Sequence, residues 1–228
     1  MKKFELEDIV IIGRTFEEYY KMFELNEISK DNKVLDTASG VSSFCAEANL
    51  KGYNVTAADR IYSFPSHVIE KKCAKDLEVV LEKLHDVINS YKWDYYKDID
   101  GLREKRESAY RAFITDFKEK GNSKYIRTEF PETQFEENQF TVALVSHFLF
   151  LYDEHLDYEF HKKTISELIK VTSHEIRIFP VVNLRYKRSL FLDKLMEDPE
   201  FADYEMEIKK VDYEFLKNGN EMLKIRIR

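Results

Sequence analysis

The stretch Val34-Leu35-Asp36-Thr37-Ala38-Ser39-Gly40, followed by Asn54-Val55-Thr56-Ala57-Ala58-Asp59, constrains this chain more than any other. A short apolar run ends in an acid, a turn of small residues follows, and a second apolar run ends in a second acid. Residues 42–51 between them have helical spacing, and Gly52 supplies a C-terminal stop. Strand, turn, helix, strand is the unit of a parallel sheet, which binds ligands outside the carboxyl ends of its strands. Asp59 stands about 20 residues beyond the turn, the offset of an acid that grips a ribose hydroxyl. The layout points to a nucleoside-containing cofactor.

A dinucleotide loop would read G-x-G-x-x-G and aim a helix N-terminus at phosphate. Here the turn is Ser39-Gly40-Val41-Ser42-Ser43, with one glycine. Asp36 would repel a pyrophosphate, but it suits a cofactor that carries an ammonium and a sulfonium. S-adenosylmethionine carries both. On these residues the chain resembles the class I S-adenosylmethionine-dependent methyltransferases, whose first motif is a strand, D-x-x-x-G and a helix, and whose second acid ends the next strand. The resemblance runs from about residue 10 to the end, apart from an insert. It departs from the family at Ser39, where many members have a glycine-rich turn, and at Thr141, which replaces an acid of the fourth strand.

The resemblance implies an α/β, Rossmann-like fold: a mostly parallel seven-stranded sheet with a C-terminal antiparallel hairpin and a helical insert. The patterning agrees. Strands are expected at residues 33–37, 54–59, 125–130, 140–147 and 175–182, with helices at 156–171 and 189–197. Near the end, Tyr204, Met206 and Ile208 alternate with charges, as do Val211, Tyr213 and Phe215. Asn218-Gly219 is a hairpin signal, and Leu223, Ile225 and Ile227 return. Thr15 and Glu18 form a capping box ahead of an amino-terminal helix. Residues 61–124 are too long for an ordinary crossover. They hold two helical patterns around the aromatic cluster Tyr91-Lys92-Trp93-Asp94-Tyr95-Tyr96. Basic residues in Leu102-Arg103-Glu104-Lys105-Arg106-Glu107 alternate with acids and read as a solvated helix face. The 228 residues are expected to form one methyltransferase-like domain, with 1–30 as a helical lid and 61–124 as a substrate cap.

The resemblance also assigns side chains. Asp36 belongs near the methionine amine, and Ala38, Ser39 and Gly40 form the turn against the cofactor. Asp59 takes the ribose hydroxyls, Arg60 and Ile61 flank the adenine, and Glu129 meets the adenine amine. Arg14 and Tyr19 reach the methionine carboxylate, and Ser146 and His147 stand at the mouth of the site. His147 is the candidate base, because its ordinary pKa lies near the working range; the alternative is a histidine that packs or positions the cofactor. Trp93 and Tyr152 are candidates for substrate contact.

With 36 Lys and Arg against 43 Asp and Glu, the net charge of -7 disfavours nucleic acid as a partner. No apolar run reaches the ~18 residues of a membrane helix, and the opening Met1-Lys2-Lys3-Phe4-Glu5-Leu6-Glu7-Asp8 turns acidic too soon for a signal peptide. Cys45 and Cys73 lack metal spacing and are expected as free or buried thiols in a reducing cytoplasm. His155 and His161, with Asp153 or Asp157, do not make a ligand set, so no metal is expected. The expectation is therefore a cytoplasmic S-adenosylmethionine-dependent methyltransferase acting on a small molecule, with its oligomeric state left open. A non-catalytic cofactor-binding or regulatory protein, or a protein methyltransferase that docks its partner on the insert, fits the same residues.

Overall fold

The computed structural model describes residues 10–227; residues 1–9, which hold the acidic opening stretch, and residue 228 lie outside them. The sheet has seven strands: β1 (Lys33–Thr37), β2 (Asn54–Asp59), β3 (Tyr125–Arg127), β4 (Phe140–Ser146), β5 (Thr172–Phe179), β6 (Glu205–Lys210) and β7 (Glu221–Arg226), in the order β3-β2-β1-β4-β5-β7-β6. β1 to β5 pair in parallel, and β7 runs antiparallel between β5 and β6. This is the sheet of the class I methyltransferase fold, as expected. The helices are α1 (Phe16–Phe23), α2 (Phe44–Leu50), α3 (Ser66–Leu84), α4 (Ile99–Lys120), α5 (Tyr158–Val171) and α6 (Leu190–Met196).

Successive strand residues face opposite sides of the sheet. Val34, Val142 and Leu144 join the aliphatic and aromatic side chains of α1 to α4 in one core, while Leu35, Ala143 and Val145 join α5 and α6 in the other. Both faces are covered, which is why β4 is almost wholly apolar.

Boundaries differ from the sequence pattern where side chains claim backbone groups. α2 starts at Phe44 rather than at 42, because Ser42 Oγ accepts the Phe44 N–H at 3.0 Å and donates to the Arg14 carbonyl at 2.9 Å. β3 stops at Arg127, whose carbonyl is taken by Gln134 Nε2 at 2.8 Å. β5 lies earlier than expected and ends ahead of Pro180, which has no N–H for a ladder. β6 ends at Lys210, so Val211, Tyr213 and Phe215 do not continue the hairpin. Val211 N–H closes on the Asn220 carbonyl at 2.9 Å, and residues 211–220 leave the sheet as a loop that packs on the insert. Asn218 (φ 64°) makes the expected turn, but at the tip of that loop.

Candidate functional site

β1, β2 and β4 end side by side, with Thr37 opposite both Ala58 and Val145. Beyond β1 the chain turns through Ala38 (φ 50°) and Gly40 (φ 59°). Glycine adopts this left-handed backbone without steric cost, and no atom lies within 4 Å of where a Cβ on Gly40 would stand, so the turn faces open space. Asp59, at the end of β2, holds the turn. Its Oδ2 accepts the Gly40 N–H and its Oδ1 the Ile61 N–H, each at 2.9 Å. The Arg60 N–H also points at this carboxylate, whose two oxygens together offer four acceptor sites. Burial raises the Asp59 pKa above the ordinary range, against the pull of these amides.

The turn and Asp59 line a cavity of about 910 Å³. This lies near the top of the ~300–1,000 Å³ range of ligand sites. Arg14, Tyr19, Ala38, Ser39, Gly40, Asp59, Arg60, Ile61, Glu129, Ser146, His147 and Tyr152 all line it. Arg60 and Glu129 stand 3.7 Å apart as an ion pair.

Asp36 and Trp93 stand outside that lining. Asp36 is fully buried: the Tyr19 hydroxyl donates to its Oδ1 at 3.0 Å, and Ser39 Oγ donates to its Oδ2. Tyr19 is fixed there by stacking on Phe44, with centroids 4.3 Å apart and planes 9° apart. Burial outweighs the two hydroxyls and pushes the Asp36 pKa up to about 7. Asp36 thus bears on the cavity through Tyr19 and Ser39. Trp93 donates its indole N–H to the Ile88 carbonyl at 3.1 Å and packs edge-on against Phe215. From that aromatic cluster it is Tyr91 that lines the cavity.

His147 leaves β4 with φ 53°. Its N–H donates to the Phe179 carbonyl at 2.7 Å, and its Nδ1 lies 2.9 Å from Ser146 Oγ. Burial, then the positive charges of Arg14 and Arg106, hold its pKa well below 6.5. The ring is therefore neutral at pH 7.

The group that sequence reasoning missed is a buried ionic network beneath the cavity. Arg106 is 3% exposed, not part of a solvated face. Its Nη1 donates to both carboxylate oxygens of Glu18 at 2.8 Å and to the Gly13 carbonyl at 3.0 Å, and its Nη2 donates to the Tyr96 hydroxyl at 2.6 Å. Glu18 also accepts from Tyr96, from Tyr213 at 3.0 Å and from the Thr15 N–H at 2.8 Å. The capping box of α1 is present, and its acid doubles as the anchor of α4. One carboxylate thereby ties α1, the insert and the 211–220 loop together. A signal was available: Leu102, Arg106, Ala109, Tyr110 and Phe113 follow one helical stripe, and all are buried.

Among the described residues, no group of three or more His, Cys, Asp or Glu side chains is placed to hold a metal ion. His161 is packed among Phe150 and Phe191 instead. Cys45 and Cys73 are free and buried. No helix among the described residues is long and apolar enough to cross a membrane.

Sheet order and strand-end acids define a protein of the Rossmann-like, class I methyltransferase fold. The chain belongs to one family with the uncharacterized protein MJ0045 of Methanocaldococcus jannaschii, to which it is 48% identical over 227 residues, spanning 99% of this chain and 100% of that one. No family model matches the chain. Similar solved structures include an S-adenosylmethionine-dependent methyltransferase of Methanosarcina mazei (14% identity, 89% of this chain and 95% of that chain, TM-score 0.45). Another is that of Aquifex aeolicus (12% identity, 98% of each chain, TM-score 0.45). A third is magnesium protoporphyrin IX methyltransferase of Synechocystis PCC 6803 with bound S-adenosylmethionine (10% identity, 86% and 70%, TM-score 0.44). The fold assignment rests on the strand order, not on these likenesses.

Proposed function

We propose that this protein binds S-adenosylmethionine and transfers its methyl group to a small-molecule acceptor. The observation that carries the proposal is the Asp59 carboxylate at the cavity wall. Backbone N–H groups fix both of its oxygens without using up their acceptor sites, which suits it to the hydroxyls of a ribose. The open space over Gly40 supports a cofactor laid against that turn. Arg60, Ile61 and Glu129 are the side chains available to an adenine there, and Ser39 and Tyr19 present the Asp36 charge to an amine.

When bound, S-adenosylmethionine supplies a methyl group on a sulfonium, open to in-line attack. The contribution of the chain is to orient and to exclude water, and orientation can account for much of such a rate. His147, neutral at pH 7, accepts the proton that an acceptor O–H or N–H releases as its lone pair takes the methyl group. Tyr152 lies on the acceptor side, the segment 61–124 serves as the cap over the acceptor, and residues 10–30 cover the cofactor. The whole chain acts as a single domain.

The test is calorimetric titration with S-adenosylmethionine of protein freed from copurified nucleoside, and of Asp59→Ala. A hydrogen bond to a charged group is worth ~1.5–3 kcal/mol, so losing two weakens binding by about a hundredfold or more. Micromolar binding by the wild type and that loss in the variant support the proposal. Absence of binding by the wild type overturns it.

A further inference from the structure

The cavity is larger than its Asp59 end, and the remainder has its own chemistry. Leu81, Leu84, Tyr91, Leu102, Phe215 and Leu216 line that part, drawn from α3, α4, the segment between them and the loop that leaves the sheet after β6. Into the same cavity projects Arg14. Its Nη1 donates to the Ile12 carbonyl at 2.9 Å, its Nε is buried without a partner, and among the described residues it makes no ion pair. The other guanidinium lining this part, Arg106, is neutralised by Glu18. The acids of the cavity wall, Asp59 and Glu129, follow β2 and β3, on one side of β1. The Arg14 charge acts on Glu18 of α1 and on His147, Tyr152, Tyr91, Tyr96 and Tyr213, none of which directly follows β2 or β3.

Glu18, the one buried carboxylate among the described residues that feels the Arg14 charge, already pairs with Arg106, so the counter-charge of Arg14 is incomplete; a guanidinium so placed is costly unless a ligand completes it. Guanidinium groups meet carboxylates through parallel hydrogen bonds, and Nε–H is one of the available donors. We infer that the methyl acceptor is a carboxylate on an apolar body, its acid held by Arg14 and its body by the aliphatic and aromatic wall of the cap and the 211–220 loop. This rests on reading the Asp59 end as the cofactor's. Here Arg14 serves the acceptor, in place of the methionine carboxylate that the resemblance assigns to it. His147 lines the same cavity as Arg14, so the nucleophilic O–H or N–H is carried on the same small molecule.

Both candidate anions, the acceptor's and the methionine end of the cofactor, are carboxylates, and the experiment separates them. Wild type and Arg14→Gln are titrated with S-adenosylhomocysteine. Then, with and without that nucleoside at saturation, they are titrated with indole-3-acetate, octanoate and their amides. The expected result is that the wild type binds the acids at least tenfold more tightly than the amides. Arg14→Gln should abolish this preference while changing S-adenosylhomocysteine affinity less than twofold. Equal binding of acid and amide by the wild type overturns the inference. So does a tenfold loss of S-adenosylhomocysteine affinity in Arg14→Gln with the acid preference intact, which would give Arg14 to the cofactor. The preference measured without nucleoside needs no cofactor site, so failure of the wild type to bind S-adenosylhomocysteine counts against the proposed function alone.

Discussion

Arg106→Met tests the network beneath the cavity. In the wild type, burial opposes the Glu18 charge, but Arg106, Arg14 and the surrounding donors win and hold its pKa at about 2, against an ordinary 4.5. At ~1.36 kcal/mol per pKa unit, a depression of about two and a half units corresponds to ~3 kcal/mol of stability. Stripping one partner from a buried ion pair costs ~3–5 kcal/mol in general, so the two routes agree. The sign follows from linkage. A depressed carboxyl pKa contributes stability above pH 4.5 that is lost as the pH falls toward 2. In Arg106→Met burial acts with a weaker opponent and raises the Glu18 pKa, so that contribution reverses. The gap between the proteins is therefore widest near pH 7 and closes in acid.

The assay is urea denaturation of wild type, Arg106→Met, Glu18→Gln and the double variant, at pH 7 and at pH 3. At pH 7 the single arginine variant should lose ~3–4 kcal/mol, and the double variant should recover a large part of it, since no unpaired charge stays buried. A cycle that is additive within ~0.5 kcal/mol, or a loss as large at pH 3 as at pH 7, would refute the reasoning.

Asp36→Asn should stabilise the apo protein at pH 8. The wild-type carboxyl, raised to about 7 by burial, contributes stability that is present below pH 3.8 and lost as the pH rises through 7. The gain is at most ~4 kcal/mol, read by thermal melts across pH 5 to 8, and a flat difference would count against it. Gly40→Ala should destabilise by ~1–2 kcal/mol because φ there is left-handed, lowering Tm by about 2–8 °C. Its methyl would also project into the cavity and weaken nucleoside binding in the same calorimeter. His147 should show no titration between pH 6.5 and 8 when its ring protons are followed by NMR, because burial and nearby arginines hold its pKa well below 6.5; a midpoint near 7 would refute that argument.

What could be read in the sequence was what is local. The acids that end β1 and β2, the turn between them and the capping box at Thr15 are set by residues a few positions apart, and each recurs in the fold. What was hidden depends on partners far away in the chain. Asp36 is sheathed by Tyr19, a residue of another element. The alternation of Tyr213 and Phe215 reads as a strand, yet Tyr213 is pulled to Glu18, and Phe215 packs on Tyr91, Trp93 and Tyr96. Arg106 looked solvated because its neighbours Arg103 and Lys105 are, each paired with an exposed acid. The helical stripe it shares with Leu102 and Phe113 was the better guide.

The same rule finds Arg177, which alternates with Ile176 and Ile178 in β5 and is 1% exposed. Its Nη1 donates to the Phe23 and Glu24 carbonyls, at the end of α1, and its other nitrogens reach Glu175 and Glu27. α1 is thus pinned at its start by Arg106 and at its end by Arg177. Swinging it open would break the buried Arg106–Glu18 ion pair at its start and the Arg177 hydrogen bonds to the Phe23 and Glu24 carbonyls at its end. Val10 and Leu184 also line the cavity, 59% and 48% exposed.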